Sequence, residues 1–288
     1  MRLARLFELA IAAGNRADPR GAGKRAYADS AILYGNASRR VERLLVGIDI
    51  DTSELLLADR LRAAGKVDCV LSHHPAGGAY AGLFKVMGVQ IDLLRKAGID
   101  AKAAAGFLAE RMAEVERKIL PQNHTRAVDA ARLLDMPFVC VHTPADNCAA
   151  RYIETFLRRN KPATAGGVLA RLATIPEYRV AAAHNAGPRL IMGHSRRPCG
   201  KIMVEMTGGA EGPKDTYAGL REAGVGTLVS MHLGEEHLKN IRQAGLNAVI
   251  AGHISSDTLG MNLILDAVEK EGSLTTLCCS GFTRIRRG

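Results

Sequence analysis

Two adjacent imidazoles close a short apolar run in Leu71-Ser72-His73-His74-Pro75, where residues 67–71 read as a buried strand. Neutral imidazole is the commonest protein ligand for a transition metal, and loops at strand ends are where α/β proteins place their chemistry. A His-His pair by itself is more often a hydrogen-bonded structural feature than a site. Two further strand exits change that balance. His142-Thr143-Pro144-Ala145-Asp146-Asn147 follows the apolar stretch 137–141 and sets a carboxylate just past it. Gly252-His253-Ile254-Ser255-Ser256-Asp257 follows 248–251 and precedes a helical pattern over 259–270. His253 and Asp257 are four residues apart, so a helical turn aims both the same way, and Ser255 or Ser256 is the candidate N-cap.

Nitrogen and oxygen ligands of this kind suit zinc, manganese or iron, and without a Cys-x-x-Cys pair the chain carries no signature of a structural zinc knuckle. Five candidate ligands, His73, His74, Asp146, His253 and Asp257, exceed what one tetrahedral ion needs, and two are carboxylates able to bridge. A dinuclear centre follows. Two divalent ions about 3.5 to 4 Å apart would clamp a water, lower its pKa towards about 7 and present hydroxide to a phosphoryl or similar electrophile.

The ordered set LSHHP, HTPAD and AGHISSD resembles the Nif-three-like family, whose members also carry the name GTP cyclohydrolase I type 2, over about residues 42 to 285. The resemblance implies metal ligands at His73, His74, Asp146, His253 and Asp257, with His142 either supporting them or adding a ligand. It further implies a Nif-three-like fold and a ring-like homo-oligomer, a hexamer. Two departures stand out: Asp257 occupies a position where the family usually has Glu, one methylene longer, and the family's early Trp-Asp-Asn-x-Gly element has no clear counterpart. The stretch from Asp29 to Gly35 holds roughly that place in a chain without tryptophan.

The leading reading is therefore a metal-dependent hydrolase acting on a phosphate-bearing or nucleotide-like substrate, GTP cyclohydrolase-type activity being its narrower form. The alternative is a non-catalytic metal-binding scaffold, a metal-handling or regulatory interaction protein whose ligands saturate the ions and leave no open position. No single residue is assigned as the proton donor or base.

Composition agrees without selecting. A chain of 288 residues, 47% hydrophobic, can bury a large core, and with only 4% aromatics that core must be built from Ala, Val, Leu, Ile and Met. The net charge of +10 favours a small anionic partner. Residues 1–43 hold nine Arg or Lys against four Asp or Glu, and Arg284, Arg286 and Arg287 add to the excess at the other end. Such an arm could touch nucleic acid, yet it lacks interleaved aromatics, so a solvated face or oligomer contact is the simpler reading. Apolar spacing at Leu3, Leu6, Phe7, Ala10 and Ile11 predicts an amphipathic helix packed on the body. No apolar run reaches the roughly 18 residues of a membrane span. Six scattered cysteines without a disulfide framework point to a reducing cytoplasm. One of them, Cys148, lies two residues after Asp146 and could approach the site.

Strands and helices alternate throughout, which predicts two interlinked α/β lobes with helices packed on mixed sheets. Residues 1–160 would form one lobe, carrying the paired histidines and Asp146, and 161–288 the other, carrying His253 and Asp257. Helices are expected at 53–64, 86–97, 101–120, 126–134, 149–160, 216–223, 235–244 and 259–270. Ligands from both lobes place the site in the cleft between them. Asp51 reads as the cap of the helix after it, with Asp49 beside the site. Thr207-Gly208-Gly209-Ala210-Glu211-Gly212 reads as a tight turn, with anion cradling the alternative and Glu211 a conceivable base. His232, Glu235, Glu236 and His237 form either a further acid/base group or, more simply, a surface helix start.

Overall fold

The computed structural model describes residues 1–21 and 23–287. Ala22, in the basic N-terminal stretch, and Gly288, at the end of the second expected lobe, lie outside the described residues.

Short strands build two sheets. In spatial order the first runs β1 (Ala31–Tyr34), β4 (Phe138–Cys140), β3 (Cys69–Ser72), β2 (Arg43–Gly47) and β9 (Thr275–Cys278). The second runs β5 (Arg189–Met192), β8 (Asn247–Ile250), β7 (Val225–Ser230) and β6 (Lys201–Glu205). Each sheet has one antiparallel edge strand, β1 or β5, and parallel pairing elsewhere. Parallel pairs need crossover helices that cover both faces, so inner strands such as β7 are buried along their whole length and read as unbroken apolar runs.

Helix α1 (Leu3–Ala17) opens the chain, and α2 (Thr52–Ala63) links β2 to β3. Four helices, α3 (Gly77–Ala81), α4 (Val89–Ala97), α5 (Ala101–Ile119) and α6 (Arg126–Leu133), fill the β3–β4 connection. Between β4 and β5 come α7 (Thr143–Asn160), α8 (Ala165–Leu172) and α9 (Pro176–Ala183). The parallel strands of the second sheet are joined by α10 (Tyr217–Glu222) and α11 (Glu235–Ala244), and α12 (His253–Glu269) leads back from β8 to β9.

Helices α7 and α12 are shared by both halves. Ala145 and Cys148 of α7, with Met261 and Ile264 of α12, pack with Leu44, Val46 and Leu71 of the first sheet. On their other side Ala149, Ile153 and Leu259 pack with Val229 and Val249 of the second. Gly260 permits the approach of the two helices: a Cβ there would run into the Ala145 carbonyl. The outer faces are covered by α2 and α6 on the first sheet and by α4, α10 and α11 on the second. Helix α1 buries Leu3, Leu6 and Ala10 against α7 and α12, as its apolar spacing predicts.

The architecture is the predicted α/β arrangement, and its differences from expectation lie at particular elements. The helices expected from 149 and 259 begin six residues earlier, at Thr143 and His253, because their first turns carry polar site residues that break the apolar period. Neither Ser255 nor Ser256 is the cap of α12. Gly252 takes that position at φ +107, and both serines lie in the first turn with their hydroxyls bonded to its carbonyl. The helix expected at 86–97 starts as a tighter 3₁₀ turn, Leu83–Gly88, before α4. Asp51 does cap α2, in a capping box with Glu54. After Lys161, in the left-handed region at φ +41, the chain builds the second sheet and then returns, pairing β9 with β2 from Arg43↔Thr275 to Val46↔Cys278. Among the described residues no helix is long and apolar enough to cross a membrane.

Candidate metal centre

The carboxyl ends of β2, β3, β4 and β8 converge, and every candidate ligand sits on one of those exits. His73 and His74 continue the β2–β3 pairing past the strands, their N–H groups donating to the carbonyls of Gly47 and Ile48. His142 ends the segment after β4 and caps α7, which puts Asp146 in the first turn of that helix. His253 opens α12 and Asp257 follows one turn later. Asp146 therefore sits in the first turn of α7, where the helix dipole favours negative charge, whereas Asp257 lies one turn into α12.

Asp257 lies at the centre of the cluster. Its Oδ1 is 3.5 Å from His73 Nε2, and its Oδ2 is 3.5 Å from both His74 Nε2 and His253 Nε2. Asp146 Oδ1 is 3.4 Å from His73 Nε2, and Asp146 Oδ2 is 3.9 Å from His142 Nε2. Three groupings able to hold a cation result, each with ligand atoms within 4.8 Å of one another: His73–Asp146–Asp257, His74–His253–Asp257 and His73–His74–His142.

Whether a cation fits can be tested on the polar atoms themselves. His73 Nε2, Asp146 Oδ1 and both Asp257 oxygens are buried and lack hydrogen-bond partners among the described residues. Leaving one such atom unsatisfied costs about 1–3 kcal/mol, and more when it is charged. Four in one cluster mark a place where the protein alone does not complete the bonding, and the donor set is one that divalent transition metals take.

The far ring nitrogens are held from behind. His73 Nδ1 donates to the Val141 carbonyl at 3.2 Å, which fixes the proton on Nδ1 and leaves the Nε2 lone pair facing the cluster. His74 Nδ1 pairs with Asp49 Oδ1 at 2.6 Å, and His142 Nδ1 with Asp29 Oδ2 at 2.8 Å. Burial drives the His73 pKa down to about 3, so that ring stays neutral, the form that ligates. Burial also pushes Asp146 up, to about 6. It opposes charge on His74 as well, but the Asp257 and Asp49 carboxylates outweigh it and hold the ring at about 10.

The cleft beside the cluster has a volume of about 50 Å³. Glu205, Glu211, His232 and His237 of the second half form its opposite wall. Glu211 Oε1 accepts from Gly234 N at 2.7 Å and pairs with His232 Nδ1 at 3.2 Å. That bond to His232 holds Glu211 down at about 2, so Glu211 stays ionised near neutrality. The His232 ring stands 4.9 Å from that of His253. His237 is buried and shares a 2.7 Å hydrogen bond with Tyr217, whereas Glu235 and Glu236 are exposed at the start of α11. The four residues that sequence placed together therefore divide, the histidines lining the cleft and the glutamates facing solvent.

All five ligands expected from sequence meet in this cluster, and His142 joins them. Cys148 does not approach it: its thiol packs in the core and against a separate groove. The Thr207–Gly212 segment is a turn at the cleft wall, with Gly208 and Gly209 at φ +104 and +79 and Thr207 Oγ1 bonded to Asn147. Asp29 is the residue whose part sequence reasoning missed. It lies more than a hundred positions from His142, and no periodicity or local motif connects the two.

No family model matches the chain, and a search of curated proteins finds no match. Solved structures are informative. A NIF3 superfamily protein from Sphaerobacter thermophilus superposes with a TM-score of 0.80 at 28% identity, covering 96% of this chain and 98% of that one. Reduced HcgD from Methanocaldococcus jannaschii gives 0.57 at 13% identity over 96% and 97% of the two chains. The Staphylococcus aureus protein SA1388 gives 0.52 at 12% over 97% and 96%, and these two lower identities speak for the fold alone. Superposition on the first over nearly the full length of both chains, in a chain whose LSHHP, HTPAD and AGHISSD segments converge on one cluster, makes this protein similar in fold and in site segments to the NIF3 superfamily.

Proposed function

We propose that the chain is a metal-dependent hydrolase with a dinuclear centre, acting on a phosphate-bearing, nucleotide-like substrate. The observation that carries the reading is Asp257, whose two unpartnered oxygens face different imidazoles, Oδ1 towards His73 and Oδ2 towards His74 and His253. A carboxylate so placed suits a bridge. His73 and Asp146 would serve one divalent ion and His74 and His253 the other, with His142 beside them and zinc, manganese or iron the fitting elements. Bound there, such ions supply Lewis acidity to a phosphoryl oxygen and lower the pKa of water towards about 7.

The rest falls to the chain itself. Asp49, Asp29 and the Val141 carbonyl keep three imidazoles aimed at the cluster, and Glu211 holds His232 across the cleft from His253. A space of about 50 Å³ is far below the roughly 300 Å³ at which whole small-molecule pockets begin. It takes a phosphate-sized group, with the remainder of the substrate leaving past the half-exposed His253. The net charge of +10 draws such an anion in. A hexameric ring and a cytoplasmic location belong to the same reading, the latter supported by six free cysteines. Sedimentation and cell fractionation test these two.

The deciding experiment loads the protein with zinc, manganese or iron, measures metal per chain, and screens nucleotides, phosphodiesters and GTP. Turnover that disappears in His74→Ala supports the hydrolase. Full loading without turnover on any substrate, together with a partner whose capture requires metal, assigns the scaffold role instead.

A further inference from the structure

A second cavity, of about 410 Å³, lies between α1, α7 and α12 and shares no lining residue with the cleft. Its floor is apolar, formed by small and aliphatic side chains such as Ala17, Leu263 and Ala267. Tyr152 and Phe156, one turn apart on α7, stand beside it with parallel rings 6.2 Å apart. The only charged residues lining it are Arg16, Arg151 and Arg159. Arg151 has an exposed Glu154 at 3.6 Å, whereas Arg16 and Arg159 form no ion pair among the described residues. With Arg151 shared with Glu154, Arg16 and Arg159 are the two guanidinium groups that leave a positive potential over the apolar hollow.

Guanidinium forks bind carboxylate, phosphate and sulfonate oxygens in pairs, and the hollow falls within the roughly 300–1,000 Å³ of small-molecule sites. A second copy docking symmetrically would set arginines against arginines, a like-charge arrangement that disfavours the contact. We propose that this groove binds a small amphiphilic anion, an alkyl or aryl carboxylate, phosphate or sulfonate. Its apolar body lies on the α1–α7–α12 floor and its head meets Arg16 and Arg159. The site shares no lining residue with the metal cleft, and it gives Arg16 of the basic N-terminal segment a task.

The test titrates the full chain with 1-anilinonaphthalene-8-sulfonate, an aryl sulfonate, and reads fluorescence. Saturable binding of one probe per chain is expected, weakened at least about tenfold in Arg16→Glu/Arg159→Glu by loss of two charge-assisted contacts. Both arginines are exposed, so an unchanged thermal midpoint verifies that this variant folds. Ala17→Trp, which fills the floor without changing charge, should abolish binding as well. Dodecanoate should displace the probe where 1-dodecanol at the same concentration does not. Unchanged affinity in the charge-reversed variant, equal displacement by the alcohol, or sedimentation showing the groove closed by a second copy with no saturable site would each overturn the proposal.

Discussion

Asp29 Oδ2 lies 2.8 Å from His142 Nδ1, and both side chains are buried. The same oxygen accepts from the Thr143 hydroxyl at 2.6 Å and from its backbone N–H at 3.3 Å. Burial opposes charge on this carboxyl, but the bonds from His142 and Thr143 outweigh it and hold the group below the ordinary range. Asp29 is therefore an ionised, acceptor-only partner, and His142 must donate from Nδ1, which aims its Nε2 towards Asp146.

Asp29→Asn keeps the shape and removes the charge. Metal affinity, measured by competition with a chelating dye, should fall about 10- to 100-fold, and the metal-free protein should lose about 1–3 kcal/mol at neutral pH because a buried carboxylate held by three donors is removed. Unaltered affinity would show that His142 takes no part in holding metal.

Asp146→Asn should act with opposite signs in two states of the protein. Without metal, the change removes a carboxylate that burial already pushes up to about 6, and stability near neutral pH should rise by about 1–3 kcal/mol. With metal at a thousandfold excess over its dissociation constant, the wild type gains about 4.1 kcal/mol that the variant forgoes, so the order of unfolding midpoints reverses. Denaturation in chelator and in metal buffer reads both; the same sign in each would remove Asp146 from the ligand set.

Gly260→Ala tests whether the α7–α12 approach sets the site. The added methyl meets the Ala145 backbone, which has no freedom to swing aside. Overpacking of this kind costs about 1–3 kcal/mol, and because Asp146 and Asp257 ride on the two separated helices, metal affinity should fall with stability. A destabilised variant that binds metal as tightly as wild type would separate helix spacing from ligand geometry.

Asp18 gives a pH prediction away from the cluster. Burial raises its pKa, but bonds from the Arg20 side chain, at 2.9 and 2.7 Å, from the Arg20 backbone and from Tyr27 outweigh it, and the net shift is downward. A depressed folded value means that the stabilisation is present above the unfolded value of 3.8 and is lost as pH falls through the lower folded one. Asp18→Asn should cost about 1–3 kcal/mol at pH 7, with the difference from wild type narrowing below pH 4 in urea titrations. A constant gap across that window would mean the carboxyl is not ionised in the folded state.

The cluster was legible because its members sit at strand exits, where an apolar run followed by His or Asp is visible locally. What stayed hidden has physical causes. Strands β1 and β9 are four residues each and half-exposed, so neither shows a buried run. The first turns of α7 and α12 are polar because they carry chemistry, and apolar periodicity cannot mark a helix start there. Asp29 reaches His142 only through the β1–β4 pairing, an antiparallel register of Ala31 on Cys140 that no short-range spacing encodes.

The return of β9 to β2 has a consequence for biosynthesis. The ribosome releases the edge of the first sheet last, after the whole second sheet has emerged, so nascent β2 must wait with one side open for a strand more than two hundred residues downstream. Loss of even the final fifteen residues would thus disable the amino-terminal half, and stalled chains should be proteolysed across both halves rather than leave a trimmed, stable fragment.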